Sequence, residues 1–196
     1  MLVGQPNLLK PNKTLLLPLP TKPKQVSRAT HLPTITKLFM LIFLTGMPGS
    51  GKTSFGQTLA QQLTLPIWDM DDLIEQKAQM RIPTIFEQQG EGHFRELERQ
   101  VLHEIIEDKS ASAIVATGGG APCFFDNMEQ INKAGISIYL DTPIYLIVER
   151  MLRKTQDRPL YQQATPEALR EKLTKTFWQR KKFYWQAQII LKTEEM

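Results

Sequence analysis

The sequence of 196 residues predicts an α/β fold in which helices cover both faces of a parallel β-sheet. Short apolar runs of strand length recur along the chain, and segments with helical periodicity separate them. Hydrophobic residues make up 41% of the chain and charged residues 22%, as in ordinary globular proteins. The length and these proportions favour one domain with a substantial core.

The first 37 residues differ from the rest of the chain. Prolines interrupt this stretch repeatedly, and no Asp or Glu occurs before Asp69. We therefore expect residues 1–37 to form a proline-rich, basic and disordered N-terminal tail, and residues 38–196 to form the folded domain. Two alternatives stay open for the tail: it is a cleaved targeting peptide, or the protein starts at Met40.

Apolar runs and helical spacing divide the rest of the chain into elements. The apolar runs predict strands at 39–44, 66–68, 112–117, 136–140 and 188–192. Helical spacing predicts helices at 52–63, 73–80, 83–89, 91–106, 126–134, 143–152 and 166–185. The polar segment before the last helix has no apolar stripe, so we predict a mobile lid at about 153–166.

A glycine-rich turn follows the first predicted strand. Gly46, Gly51, Lys52 and Thr53 fit the pattern G-x-x-x-x-G-K-[ST], which defines a P-loop. Glycines let the backbone curl so that successive N–H groups point into one nest, beside the positive end of the next helix. In such a loop the lysine reaches the β- and γ-phosphates and the hydroxyl binds Mg²⁺. The turn therefore predicts nucleotide binding.

Carboxylates follow the second predicted strand. Asp69 and Asp71 alternate along a segment that we expect to be extended, so both face the ligand cleft or are offset by the strand twist. Beside a P-loop, one carboxylate can hold Mg²⁺ through water and another can accept a proton from an attacking hydroxyl. The alternative is that both cap the helix that follows, for which Asp72 is the better candidate.

Four further features are ambiguous on spacing alone. Arg95 and Glu98 are helical neighbours, for which a solvated ion pair is the simpler interpretation. The glycines 118–120 indicate backbone close to a ligand, or a simple tight turn. Arg158 lies in the predicted lid, where it could stabilise a transferring phosphoryl group. Arg180 could belong to a basic helix face.

Composition excludes several other classes of protein. No apolar run is long enough to cross a bilayer. One cysteine, Cys123, excludes an intramolecular disulfide and is expected to pack rather than react. The net charge of +4 comes largely from the acid-free tail, so we expect no nucleic-acid partner. These features favour a protein of a reducing compartment, which we expect to be the cytoplasm, without membrane contact.

Taken together, the motifs resemble the shikimate kinases in order and spacing. The resemblance covers about Met40 to Thr193 and rests on five motifs: Gly46-Met-Pro-Gly-Ser-Gly-Lys-Thr53, Asp69-Met-Asp71, Gly90-Glu91 with Phe94-Arg95 and Glu98, Thr117-Gly-Gly-Gly120, and Arg158-Pro-Leu160. It implies a three-layer α/β/α fold with a five-stranded parallel sheet, like that of nucleoside-monophosphate kinases, and a lid that closes. It also implies transfer of the ATP γ-phosphate to the 3-hydroxyl of shikimate, with Mg²⁺ as cofactor.

The resemblance assigns roles to individual residues. ATP phosphates would be bound by Gly49, Ser50, Gly51, Lys52, Thr53, Ser54 and, from the lid, Arg158. Thr53 and Asp69 would attend Mg²⁺, and Asp71 would bind the shikimate hydroxyls and act as base. The remaining substrate contacts would come from Arg95 and Arg180 on the shikimate carboxylate and from the backbone of Gly119, with Glu98 orienting Arg95.

Two points of the family pattern leave alternatives. The family usually has a further helix after the last strand, whereas this sequence stops at Met196, so we expect altered adenine contacts and stability. Separately, we expect Arg150 or Arg153 to stack on the adenine. The acceptor could also be another small hydroxy acid such as gluconate. A third hypothesis is a catalytically idle, shikimate-kinase-like nucleotide-binding module.

Overall fold

The computed structural model describes residues 39–108, 112–155 and 165–193. Within them one sheet of five parallel strands has the order β2-β3-β1-β4-β5. Its strands are β1 (Leu41–Thr45), β2 (Ile67–Asp69), β3 (Ala113–Ala116), β4 (Ile136–Asp141) and β5 (Ile189–Lys192). The helices of these residues are α1 (Lys52–Leu63), α2 (Met70–Ala78), α3 (Ile82–Glu107), α4 (Asn127–Ala134), α5 (Ile144–Thr155) and α6 (Pro166–Tyr184).

The predicted α/β/α fold with a five-stranded parallel sheet is confirmed. The tail 1–37 and most of the predicted lid, with Arg158, lie outside the described residues. None of the helices in the described ranges is both long and apolar enough to span a membrane.

The central strand β1 is buried on both sides, as a parallel sheet requires. Because side chains alternate along a strand, Leu41 and Phe43 pack in one apolar cluster, while Ile42 and Leu44 pack in the other. The first cluster joins the sheet to α2, α3, α4, α5 and α6, and the second joins it to α1. A Cβ at Gly56 would lie 2.6 Å from the Cδ1 atom of Ile67, so glycine lets α1 lie directly on the sheet.

The start of the first helix after β2 differs from the prediction. Helix α2 begins at Met70, so Asp71 lies in a helical first turn and not on the predicted extended segment. The predicted helices 83–89 and 91–106 agree with α3, which consists of two helical segments that meet at a kink at Gly90 (φ 80°, ψ 171°). These angles are not helical, and glycine adopts the positive φ without the steric strain that a Cβ brings.

The fold places the carboxyl ends of β1, β2 and β3 side by side. Parallel pairing brings the turn after Thr45, the carboxylate of Asp69 and the residues after Ala116 to one edge of the sheet. Ligands of such sheets bind beyond this edge. The predicted motifs therefore converge because strand order, and not sequence distance, sets their positions.

Candidate active site

The turn after β1 curls through three glycines with positive φ. Gly46, Gly49 and Gly51 have φ values of 141°, 80° and 98°, which residues with a Cβ rarely adopt. The amide of Ser50 donates to the carbonyl of Met47 at 3.1 Å and closes the turn. Gly51, the residue before α1, has no side chain that could cap the helix. The amides in the first turn of α1 therefore have no hydrogen bond to a capping side chain. This geometry suits an anion.

Lys52 is buried and lies across the turn. Its Nζ atom donates to the carbonyl oxygens of Gly46 and Met47, each at 3.0 Å. Burial lowers the pKa of Lys52 to about 8, although Asp71 and Asp69 favour the charged form. A phosphate at the turn would supply the missing counter-charge.

Thr53 and Asp69 form a ready pair of oxygen ligands. The Thr53 hydroxyl donates to Oδ2 of Asp69 at 3.0 Å, and Oδ1 of Asp69 accepts from the amide of Asp71 at 3.0 Å. Asp69 therefore caps α2, and the interpretation of Asp72 as the cap is wrong. The described residues contain no cluster of three His, Cys, Asp or Glu that could hold a metal. Mg²⁺ is usually held by one or two protein oxygens together with phosphates, which this pair fits.

Asp71 opens onto the same cleft from the first turn of α2. The neighbouring atoms partly desolvate its carboxylate and raise its pKa, and the charge of Asp69 raises it further, while Lys52 opposes both. A carboxylate whose pKa is raised is a stronger base once it is ionised. The carboxylate of Asp71 lines the cleft, where a ligand hydroxyl beside the glycine-rich turn after β1 could reach it.

Arg95 is not the solvated ion pair that helix spacing favours. Its side chain is 9% exposed, and its Nη1 atom donates to Oε2 of Glu98 at 2.8 Å. Its Nε and Nη2 atoms donate to Oε1 of Glu91 at 3.2 and 3.0 Å. The ring centroid of Phe124 lies 4.0 Å from its Cζ atom. The guanidinium is therefore held on several sides, as expected for a fixed binding group.

Glu98 has a buried oxygen without a partner. Its side chain is 1% exposed, and its Oε1 atom has no hydrogen-bond partner among the described residues. Burial raises the pKa of Glu98, which Arg95 opposes. Buried polar atoms are nearly always bonded, so the Oε1 atom marks a place for a water or a ligand atom.

The glycines after β3 make three different close contacts. A Cβ at Gly118 would lie 2.7 Å from Oε1 of Glu98 and 2.9 Å from Oδ1 of Asp71. A Cβ at Gly119 would lie 2.6 Å from Cδ of Pro48. One at Gly120 would lie 2.6 Å from Nη1 of Arg95. The triplet thus lets backbone approach two carboxylates, the phosphate-binding turn and a guanidinium in three successive residues.

Arg180 contacts this glycine turn from α6. Its Nη1 atom donates to the carbonyl of Gly119 at 3.0 Å, so it does more than extend a basic helix face. The Tyr184 hydroxyl donates to the same carbonyl at 2.5 Å. Arg180 thus contacts Gly119, and Arg95 lies against the next residue of the same turn, Gly120.

The predicted residues at the turn form one cleft of about 1280 Å³. Its lining includes residues 48–55, Asp69, Asp71, Gly119 and Arg150. Arg95 and Arg180 contact the glycine turn at the border of the cleft and are not part of this lining.

Among the adenine candidates, Arg150 donates to the Ser50 carbonyl at 2.9 Å, whereas Arg153 is exposed and pairs with Glu149. Arg150 is therefore the one that contacts the turn.

Burial raises the pKa of Cys123 to about 11, as fits a packing role.

Sequence reasoning missed three contacts of the site. Pro48 packs on Gly119, Glu91 accepts from Arg95, and Tyr184 donates to Gly119. Glu91 and Tyr184 each stand four residues from a predicted arginine on the same helix, so i,i+4 spacing is the signal that could have found them.

Comparisons with known proteins agree with this geometry. The family model described as shikimate kinase matches residues 48–196. A shikimate kinase of Bacteroides thetaiotaomicron is 38% identical over 155 residues, covering 79% of this chain and 87% of that protein. A shikimate kinase of Bacteroides fragilis (strain YCH46) is 40% identical over 149 residues, covering 76% and 82%.

Two crystal structures extend the likeness to three dimensions. That of the Bacteroides thetaiotaomicron shikimate kinase aligns with a TM-score of 0.75 at 38% identity, covering 80% of this chain and 88% of that one. A shikimate kinase from Acinetobacter baumannii in complex with shikimate aligns with a TM-score of 0.70 at 36% identity, covering 81% and 86%. Sequence, fold and the geometry of the cleft lead to one conclusion, that the chain belongs to the shikimate kinase family.

Proposed function

We propose that this chain transfers the γ-phosphate of ATP to the 3-hydroxyl of shikimate. The observation that carries the proposal is that two arginines contact neighbouring residues of one turn. Arg180 contacts Gly119, and Arg95 lies against Gly120. Gly119 lines the same cleft as Lys52 and Asp71. A phosphate cradle, a base and two cations for a carboxylate are the groups that a hydroxylated acid needs in order to be phosphorylated.

The nucleotide would be held by the turn after β1. Gly49 to Ser54 offer backbone amides, and Lys52 would leave the carbonyls of Gly46 and Met47 to bond phosphate oxygens. Mg²⁺ would be held by Thr53 and Asp69, and it neutralises charge on the phosphates when it is bound. Arg158, from the predicted lid, is proposed to contact the same phosphates.

The acceptor would be held on the other side of the cleft. The carboxylate of shikimate would bind the N–H groups that Arg95 and Arg180 keep free, because planar guanidinium groups match carboxylate geometry. Glu98 holds Arg95 in place from the buried side. Two fixed cations favour an acid over a neutral polyol.

Asp71 would act as the base. It would accept the proton of the shikimate hydroxyl as that oxygen attacks the γ-phosphorus, and the bond from phosphorus to the ADP oxygen would break. Lys52 lies close enough to lower the pKa of Asp71, so its charge would favour the ionised form of Asp71 that accepts the proton. We also propose a monomer, since one chain supplies every group named here, and a location in the cytoplasm, since a single cysteine suits a reducing compartment.

Turnover of a panel of acceptors tests the proposal. ADP release is measured with purified full-length protein and Mg-ATP in the presence of shikimate, gluconate or other small hydroxy acids. We expect release with shikimate and little with gluconate. Release with gluconate alone would reassign the acceptor. If no acceptor is turned over and calorimetry detects no heat of shikimate binding, the chain is an idle module.

A further inference from the structure

The carbonyl oxygen of Gly119 accepts two hydrogen bonds. One comes from the Nη1 atom of Arg180 at 3.0 Å and the other from the hydroxyl of Tyr184 at 2.5 Å. A carbonyl oxygen has two lone pairs, so these two donors fill its capacity. The guanidinium of Arg180 therefore uses a single N–H group on this oxygen.

Tyr184 is fixed more firmly than Arg180. Its side chain is fully buried, and its ring stacks on that of Tyr139 with centroids 5.1 Å apart and planes 14° apart. Its hydroxyl also lies 3.7 Å from the sulfur of Met47, in the phosphate-binding turn. Burial raises the pKa of Tyr184, so the hydroxyl remains a donor. A buried tyrosine hydroxyl needs a partner, and the Gly119 carbonyl at 2.5 Å lies nearer to it than the Met47 sulfur.

We propose that Tyr184 is a positioning residue for the acceptor, which sets Arg180 for the substrate carboxylate by occupying the second lone pair of Gly119. Without the hydroxyl, the guanidinium can turn and give this carbonyl two N–H groups. More of its planar fork then faces the Gly119 carbonyl, and fewer donors remain for a carboxylate. The inference rests on the proposed function, since it assumes that Arg180 binds the acceptor.

The substitution Tyr184→Phe tests the role of the hydroxyl. Phenylalanine keeps the ring that stacks on Tyr139, and Arg180 still bonds the Gly119 carbonyl, so the variant is expected to fold. We expect KM for shikimate to rise about tenfold, the equivalent of one net hydrogen bond, with KM for ATP and kcat almost unchanged.

Tyr139→Phe is the matched control. It removes a hydroxyl from the other member of the same stacked pair, and that hydroxyl donates to Oδ1 of Asp141 at 2.9 Å, away from Gly119. We expect its KM for shikimate to stay within about twofold of the wild type. An equal rise in both variants would mean that the stacked pair acts through packing alone, and would overturn the inference.

A double-mutant cycle separates positioning from general stability. If Tyr184 acts through Arg180, then Tyr184→Phe adds little to KM for shikimate in an Arg180→Ala background. Independent, multiplying effects would overturn the inference, as would an unchanged KM in Tyr184→Phe while the wild type turns over shikimate. If the wild type neither binds nor phosphorylates shikimate, the proposed function fails and the inference fails with it.

Discussion

The substitution Gly120→Ala probes the placement of Arg95 directly. A Cβ at residue 120 would lie 2.6 Å from Nη1 of Arg95, and 2.9 Å from its Cζ and Nη2 atoms. Since nonbonded heavy atoms are best separated by about 3.5 Å, the guanidinium must retreat by about 0.9 Å. The ion pair with Glu98 and the ring of Phe124 oppose that movement.

The expected magnitude has two parts. Overpacking a tight contact costs about 1–3 kcal/mol of folding free energy. A guanidinium displaced from its position also loses a charge-assisted hydrogen bond to the acceptor, worth about 1.5–3 kcal/mol, or about a 10- to 150-fold rise in KM for shikimate. KM for ATP should change little, because Gly120 does not line the nucleotide side of the cleft.

Steady-state kinetics and thermal unfolding measure these two parts. Gly92→Ala is the control: it lies on the same helix as Arg95, and its Cβ would meet nothing within 4 Å. Glycine in a helix is less stable than alanine by about 0.5–1 kcal/mol, so this control should be slightly stabilised with unchanged kinetics. If Gly120→Ala kept wild-type stability and KM for shikimate, the placement of Arg95 would be refuted.

Three further predictions concern the rest of the cleft. Gly119→Ala forces a Cβ against the rigid ring of Pro48, so KM should rise for both ATP and shikimate; a rise for shikimate alone would contradict this contact. Because the pKa of Lys52 is lowered to about 8, ATP affinity in a fluorescence titration should fall as pH rises through that value, and a flat profile would contradict a buried, titrating lysine. Because the pKa of Asp71 is raised, kcat/KM should fall on acidification at a pH above the ordinary aspartate value of 3.8. That acidic limb should persist in Glu98→Gln, and its loss there would assign it to Glu98 instead.

Features set by local sequence were predictable. The conformation of the glycine-rich turn agrees with the prediction because its glycines and Lys52 follow a spaced pattern with a direct backbone cause. The helix from Lys52 to Leu63 has the same bounds in the prediction and the structure. Each of the five strands was found within a few residues, since buried parallel strands are short, apolar and bounded by turns.

Features set by distant contacts were not predictable from spacing. Helix periodicity favours a solvated pair for Arg95, whereas Phe124 and Gly120, far along the chain, make it buried. Only the resemblance to a family assigns Arg95 a binding role, and that role stays a prediction. Asp71 was expected on an extended segment because β2 was assumed to continue, but Asp69 caps a helix that starts one residue later. In the sequence, an aspartate at the end of a strand cannot be told from an aspartate that caps a helix.

Calorimetric titration of shikimate into the wild type and Arg95→Ala tests the central claim most directly, namely that this cleft holds a hydroxy acid beside a nucleotide. The account predicts heat and one bound shikimate per chain for the wild type. It predicts no measurable shikimate binding for Arg95→Ala, in which ATP binding persists. Absence of shikimate binding to the wild type would contradict the account, and loss of ATP and shikimate together in Arg95→Ala would show that the arginine only supports the fold.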